Sequence, residues 1–260
     1  MSDLRLLSLD FDGTMIAPWE EGRVEPSPDL LRCLEHLRSV GVVFAMNTGR
    51  SLPLVEDAIR LFPFQPDYAL TTEREVFAWS GKRWEAVGDW NRQCYEKHAE
   101  LFSQAQEQLN RIEQFVETST AARPVREDEQ LVGIVAQSES EMIRIVDVIS
   151  QAQKQLPDLS YQRNGIYLRF CHRAYDKGAV LRSLQEFLGV TAEQTFAAGD
   201  NHNDLSMLRP DLARYLACPS NSVPEIKSVV RLNRGIVAQR KGGAGTAEAL
   251  IRFFPDLLPA

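Results

Sequence analysis

Leu4-Arg5-Leu6-Leu7-Ser8-Leu9-Asp10-Phe11-Asp12-Gly13 is a short apolar run that breaks into an acidic, glycine-bearing loop. A nearly continuous apolar run ending in a polar loop is the pattern of a central strand in a parallel sheet, buried on both faces. The residues that follow keep to that reading. Ser27 is a natural N-cap, Pro28 suits a first helical position, and Leu30, Leu31, Leu34 and Leu37 recur at helical spacing up to Gly41. Val42-Val43-Phe44-Ala45-Met46 predicts a second buried strand, ending at Asn47-Thr48-Gly49-Arg50. A helix over about Leu52–Leu61 and a strand at Asp67–Leu70 come next. Strand, helix, strand, helix, strand implies a doubly wound parallel sheet.

The rhythm then changes. Val76–Trp79 and Trp84–Val87 flank Ser80-Gly81-Lys82-Arg83 as a hairpin. Asn91–Ile112 predicts a long amphipathic helix with Tyr95, Phe102, Leu109 and Ile112 on or near one face. Strands are expected near Gln114–Thr118 and Leu131–Ala136, then a helix capped by Ser138-Glu139-Ser140-Glu141, then strands near Leu159–Gln162 and Ile166–Phe170. Helix-strand-strand, twice over, describes a separate α+β module. After Tyr175 the α/β pattern returns, with a helix from Asp176 to Leu188, strands at Thr195–Ala198 and Ala213–Ala217, and a last helix over about Thr246–Phe254. The expected architecture is therefore a Rossmann-like α/β core from 1–81 and 173–260, interrupted by an inserted module at 82–172.

Bulk properties narrow the function classes. The chain has 260 residues and a net charge of −7, so nothing in its overall charge draws it to nucleic acid or anionic lipid. Its first residues lack the long apolar run of a signal peptide, and no stretch approaches the length that spans a bilayer. Cys33, Cys94, Cys171 and Cys218 are far apart and form no Cys-x-x-Cys pair, which reads as reduced, buried thiols. A cytoplasmic protein with neither a nucleic-acid nor a membrane partner is the expectation.

Open α/β sheets bind ligands beyond the carboxyl ends of their strands. There the first strand delivers Asp10 and Asp12, the second Thr48, and the strand after the insert Asp200, Asn203 and Asp204. Lys177 arrives on the helix that returns from the insert. Carboxylates converging in a cleft repel one another unless a cation sits among them, and hard oxygen ligands at this density suit Mg²⁺. A lysine, a threonine hydroxyl and backbone N–H groups suit a phosphoryl group beside that metal. By contrast, Gly242-Gly243-Ala244-Gly245-Thr246 lacks the Gly-Lys-Thr/Ser ending of a phosphate loop and reads as a turn into the last helix.

Asp10-Phe11-Asp12-Gly13-Thr14, Thr48-Gly49-Arg50, Lys177-Gly178 and Gly199-Asp200-Asn201-His202-Asn203-Asp204 resemble, in order and spacing, the motifs of the haloacid dehalogenase superfamily. The insert falls between the second and third motifs, as in the branch with a type-two (C2) α/β cap that includes Cof-like sugar phosphatases and sucrose-phosphate phosphatase. That resemblance implies a Mg²⁺-dependent phosphatase acting on a small phosphate ester, a sugar phosphate in particular. It implies Asp10 as the nucleophile that becomes an aspartyl-phosphate and Asp12 as general acid and base. The metal would be held by Asp10, the Asp12 backbone carbonyl and Asp200. Thr48, Gly49, Lys177 and Asn203 would grip the phosphoryl oxygens, Asp204 would orient Lys177 or a metal-bound water, and the cap would select substrate.

Two other readings use the same residues. A phosphomutase differs in how its cap retains the intermediate, and a sugar-phosphate sensor without catalysis would not explain why both Asp10 and Asp12 are present. The chain departs from the family pattern at one turn. Where many relatives carry Asn-Gly after the third strand, it has Thr71-Thr72-Glu73-Arg74-Glu75, which puts charge near the cleft. Arg123, Arg126, Arg163 and Arg169 of the insert are candidate substrate contacts, with Tyr167 and Arg169 on one strand face.

Overall fold

Every residue of the first strand, β1 (Leu6–Leu9), is buried. The computed structural model describes residues 3–16, 26–62 and 64–257. In chain order β1 is followed by α1 (Pro28–Ser39), β2 (Val43–Asn47), α2 (Leu52–Leu61), β3 (Tyr68–Thr71), β4 (Glu75–Trp79) and β5 (Trp84–Ala86). Then come α3 (Trp90–Ser119), β6 (Arg123–Glu127), β7 (Gln130–Val135), α4 (Glu139–Gln155), β8 (Leu159–Asn164) and β9 (Tyr167–His172). The chain closes with α5 (Lys177–Leu188), β10 (Thr195–Ala198), β11 (Tyr215–Cys218), α6 (Pro224–Leu232), β12 (Ile236–Val237) and α7 (Gly242–Phe253). None of the described helices is long and apolar enough to cross a membrane.

These elements form two compact units, Met1–Asn91 with Lys177–Ala260, and Arg92–Asp176. The first is built on an eight-stranded sheet in the order β12-β11-β10-β1-β2-β3-β4-β5. It is parallel from β12 to β3, and the β4–β5 hairpin extends it antiparallel at one edge. Alternation along β1 shows why both faces need cover. Leu7 and Leu9 pack with Leu30 and Leu34 of α1, Val55 of α2 and Leu250 of α7. Leu6 packs the opposite way, with Leu181 and Leu184 of α5 and Ile226 and Val230 of α6. Helices on both faces of a parallel sheet make this the doubly wound α/β fold that the opening run implies.

The second unit is an antiparallel sheet in the order β6-β7-β9-β8, with α3 and α4 packed on it through Leu101, Leu109, Ile112, Ile145 and Ile149. Helix-strand-strand repeats as the sequence predicts, but its first strand lies elsewhere. Gln114–Thr118, expected as a strand, is the last part of α3. Leu101, Ala105, Leu109, Ile112 and Val116 are all buried, so the helical period continues past Ile112. Tyr95, expected on the apolar face, is exposed, and Cys94 and His98 take the buried positions. The strand itself, β6, is an edge strand, largely exposed and rich in charge, and carries little apolar signal. Ser138 caps α4 as expected, accepting from Glu141 N at 3.2 Å, while the Glu141 carboxylate reaches Gln137 N and Ala121 N at 2.7 Å.

Gly242–Gly245 also differs from expectation, because it is the first turn of α7 and no separate loop. A Cβ on Gly243 would lie 2.3 Å from the Met15 carbonyl oxygen. Glycine there lets α7 pack directly on the loop that follows β1, which Thr246 Oγ1 also reaches by donating to Thr14 O at 2.7 Å.

Candidate active site

The carboxyl end of β1 hands the chain to Asp10, whose N–H donates to Ala198 O of β10 at 3.0 Å. That bond carries the ladder one residue beyond the strand, so the Asp10 carboxylate stands at the strand end while remaining almost fully buried. Lys177, at the start of α5, reaches it from across the sheet. The Asn47 side chain donates to Ser8 Oγ at 3.3 Å and to Lys177 O at 3.0 Å, tying β1, β2 and the first turn of α5 together. Lys177 Nζ then donates to Asp10 Oδ1 at 2.6 Å and to Asp204 Oδ1 at 2.7 Å, with its side chain fully buried.

Asp204 and Asp200 belong to the loop after β10. Asp204 Oδ2 accepts from Asp200 N at 2.8 Å and Asn201 N at 2.9 Å, which closes a single helical turn at His202–Asp204. Both Asp204 oxygens are thus engaged. Asp200 Oδ1 accepts from Thr14 Oγ1 at 3.2 Å, and its Oδ2 accepts from Asn221 Nδ2 at 3.3 Å. Gly13 makes room for that carboxylate: its φ of +79° is left-handed, and a Cβ there would lie 2.3 Å from Asp200 Oδ2.

Thr48 and Gly49 follow β2, with Thr48 Oγ1 accepting from Arg50 N at 3.2 Å. Arg50 clamps Asp12 with a fork of two bonds, Nε to Oδ2 at 2.7 Å and Nη2 to Oδ1 at 2.6 Å, and its guanidinium lies over the Phe11 ring. Asn203 donates through Nδ2 to Glu73 Oε1 at 2.5 Å. All eight candidate residues lie in the core unit. Asp10, Lys177, Asp204 and Asp200 form one connected group, Asp12 is held by Arg50, and Thr48, Gly49 and Asn203 gather around Glu73. Sequence reasoning missed Arg50 as a partner of Asp12, although it directly follows Thr48-Gly49. It also missed Asn221, which binds Gly13 O at 2.9 Å as well as Asp200 and has no local signal. His202 turns towards Asn201 and Glu225. In the inserted unit Arg126 pairs with Glu113 and Glu117, Arg163 with Glu139, and Arg169 with Glu127.

Burial dominates the electrostatics. It pushes the Asp10 carboxyl well above the usual range; Lys177 counters, while Asp204, Asp200 and Asp12 push further up. Asp200 is raised to about 7, by burial first and Asp204 second, against Lys177 and Thr14. Burial alone would favour a neutral Lys177, but Asp10 and Asp204, with Glu73, outweigh it and hold the ammonium protonated. Carboxylate oxygens of Asp10, Asp200 and Asp204 all lie within 4.8 Å of one another. An all-oxygen set this crowded, with two members straining to keep a proton, fits a hard divalent cation such as Mg²⁺.

A pH signature follows from these shifts. Folded Asp200 binds a proton more tightly than it does unfolded, so without metal stability declines as pH rises from about 4 to about 7. Asp10 acts in the same direction. A divalent cation held there would replace the proton, so the rise in Tm on adding Mg²⁺ should be larger at pH 7.5 than at pH 5.5, as read by thermal denaturation. Equal shifts at the two pH values would contradict this reading.

A family model for haloacid dehalogenase-like hydrolases matches residues 67–234, more than half of the chain. That span includes Lys177, Asp200, Asn203 and Asp204, and Asp10, Asp12, Thr48 and Gly49 precede it. A phosphoglycolate phosphatase of Metallosphaera sedula is 25% identical over 249 residues, covering 94% of this chain and 96% of the relative. Among solved structures, the sucrose-phosphatase of Synechocystis sp. PCC6803, in complex with sucrose and phosphate, superposes with a TM-score of 0.74 at 21% identity over 97% of this chain and 98% of that one. The subclass IIB sugar phosphatase BT4131 gives 0.63 at 15% identity over 98% and 100%. These structures share the fold. On the family match, the chain belongs to the haloacid dehalogenase-like hydrolases.

Proposed function

We propose that the protein is a Mg²⁺-dependent phosphomonoester hydrolase that works through an aspartyl-phosphate on Asp10 and takes a small phosphorylated metabolite, a sugar phosphate in particular. The observation that carries this reading is the buried Asp10–Lys177–Asp204 chain at the end of β1, with bonds of 2.6 and 2.7 Å. It supplies a carboxylate nucleophile beside a fixed ammonium, and such a pair suits attack on an anionic phosphorus centre.

In the proposed reaction an Asp10 oxygen forms a bond to phosphorus as the ester P–O bond breaks, and Asp12 gives its proton to the leaving alkoxide. Asp12 then takes a proton from the water that attacks the aspartyl-phosphate, releasing phosphate and restoring Asp10. Asp12 must enter the reaction protonated, and Arg50 would hold it as the carboxylate between the two proton transfers; Lys177, Thr48, Gly49 and Asn203 bind phosphoryl oxygens. Asp10, the Asp12 carbonyl and Asp200 would hold Mg²⁺, which when bound screens the repulsion between nucleophile and phosphate. With both oxygens engaged, Asp204 would position Lys177 rather than bind metal. The inserted unit, Arg92–Asp176, would select the substrate.

The sugar-phosphate assignment draws on the sucrose-phosphatase and BT4131 folds. A second reading, a small phosphorylated acid such as phosphoglycolate, is favoured by the full-length Metallosphaera sedula relative. Phosphate release from a panel holding both classes, with Mg²⁺ or EDTA, tests the proposal. Turnover that requires Mg²⁺ and favours sugar phosphates is expected, while preference for phosphoglycolate would select the second reading. Transfer of the phosphoryl group within a sugar without net release would mean a mutase. Substrate binding with no turnover would mean a sensor.

A further inference from the structure

Glu73 lies outside the residue set assigned above, yet the turn between β3 and β4 aims it inward. Thr72 and Glu73 both take left-handed backbone, φ 48° and 64°, which L side chains rarely adopt. The turn is pinned against the loop after β2, with Glu73 N donating to Thr48 O at 3.0 Å and Thr72 N to Arg50 O at 2.9 Å. Thr71 and Thr72 hydroxyls add bonds to Glu75 Oε2 at 2.9 and 2.7 Å. Strained backbone held this firmly is a pointer to function. Its effect is to bury the Glu73 side chain, which is only 7% exposed. There Oε1 accepts from Asn203 Nδ2 at 2.5 Å and lies 3.3 Å from where a Cβ on Gly49 would stand.

Asn203 is the residue this contact governs. A carboxylate only accepts, so the amide must turn its nitrogen to Glu73, because the flipped amide would set its oxygen against the anion. Asn203 Oδ1 has no hydrogen-bond partner among the described residues. Nothing on that side of the amide therefore fixes its orientation. The amide nitrogen carries two N–H donors, and Glu73 occupies one.

We propose that Glu73 is a positioning residue, fixing the Asn203 amide so that its second N–H is available to a phosphoryl oxygen. This rests on the phosphate-binding role proposed for Asn203. The same carboxylate is also a negative charge beside the phosphate donors. Glutamine at position 73 would keep an acceptor for Asn203 and lose that repulsion.

The test measures KM, kcat and inhibition by inorganic phosphate in wild type, Glu73→Gly, Glu73→Gln, Asn203→Ala and the Glu73→Gly/Asn203→Ala double variant. Glycine suits the left-handed φ, so Glu73→Gly removes the carboxylate without burdening the turn, and its Tm should not fall. It is expected to raise KM and the phosphate inhibition constant about tenfold, with a smaller change in kcat, by releasing one charge-assisted donor. Glu73→Gln should restore phosphate binding to within about threefold of wild type or tighten it. In the Asn203→Ala background Glu73→Gly should cost nothing further. The inference is overturned if Glu73→Gly leaves phosphate binding unchanged, or weakens it equally with Asn203 absent. If Asn203→Ala alone has no effect on phosphate binding, the role of Asn203 fails, and the inference with it.

Discussion

Asp10→Asn should lower phosphate release by at least about four orders of magnitude while leaving the protein folded. The amide is nearly isosteric with the carboxylate but cannot form the acyl-phosphate. What makes this variant informative is the electrostatic setting. Burial and three neighbouring carboxylates already oppose ionisation of Asp10, with Lys177 the countering charge. A neutral side chain removes that conflict, and Lys177 Nζ keeps its 2.7 Å bond to Asp204. Stability should therefore be equal to wild type or higher at pH 7.5, measured as Tm beside the phosphate-release assay. Loss of activity together with unfolding would assign Asp10 a structural role instead.

Lys177→Met should have the opposite effect on stability. Lys177 bonds to both Asp10 and Asp204 and is fully buried, so its removal leaves two carboxylates without their cation in a site closed to water. Breaking a buried ion pair from one side costs about 3–5 kcal/mol, a large part of the margin of a folded domain. Denaturant unfolding should show that loss at pH 7.5 and a smaller one near pH 5, where protonation relieves the uncompensated charge. Activity should fall with it even in the folded fraction. A loss below about 1 kcal/mol would show that the lysine and carboxylates are not coupled as their geometry implies.

The core was legible because its strands are buried on both faces. Val42–Met46 and Phe196–Ala198 read as unbroken apolar runs, and the polar residues that follow them mark one end of the sheet. The eight candidate residues were picked out for the same reason, since each sits in a turn after a strand or in the first turn of a helix. What was illegible depends on contacts that local pattern does not encode. β6 is exposed on the sheet edge, so Arg123–Glu127 carries almost no apolar periodicity, whereas Gln114–Thr118 contains Phe115 and Val116 and reads equally well as strand or helix. Gly242–Gly245 looked like a turn because glycine weakens helices, but its smallness serves a close approach to Met15. Asn221 reaches Gly13 and Asp200 across the fold, a pairing that spacing along the chain does not reveal. Glu73 was visible only as a departure from Asn-Gly, and the direction of its carboxylate needed the left-handed turn to be seen.

Trapping the proposed phosphoenzyme tests the central claim most directly. The protein with Mg²⁺ and p-nitrophenyl phosphate, whose leaving group needs no proton from Asp12, is quenched in acid during turnover, alongside Asp12→Asn, whose slowed hydrolysis should let the intermediate accumulate. After digestion, mass spectrometry should find a hydroxylamine-labile phosphoryl adduct on the peptide that carries Asp10, stronger in Asp12→Asn. Phosphate release under these conditions with that peptide unmodified, or an adduct on another residue, would contradict the account.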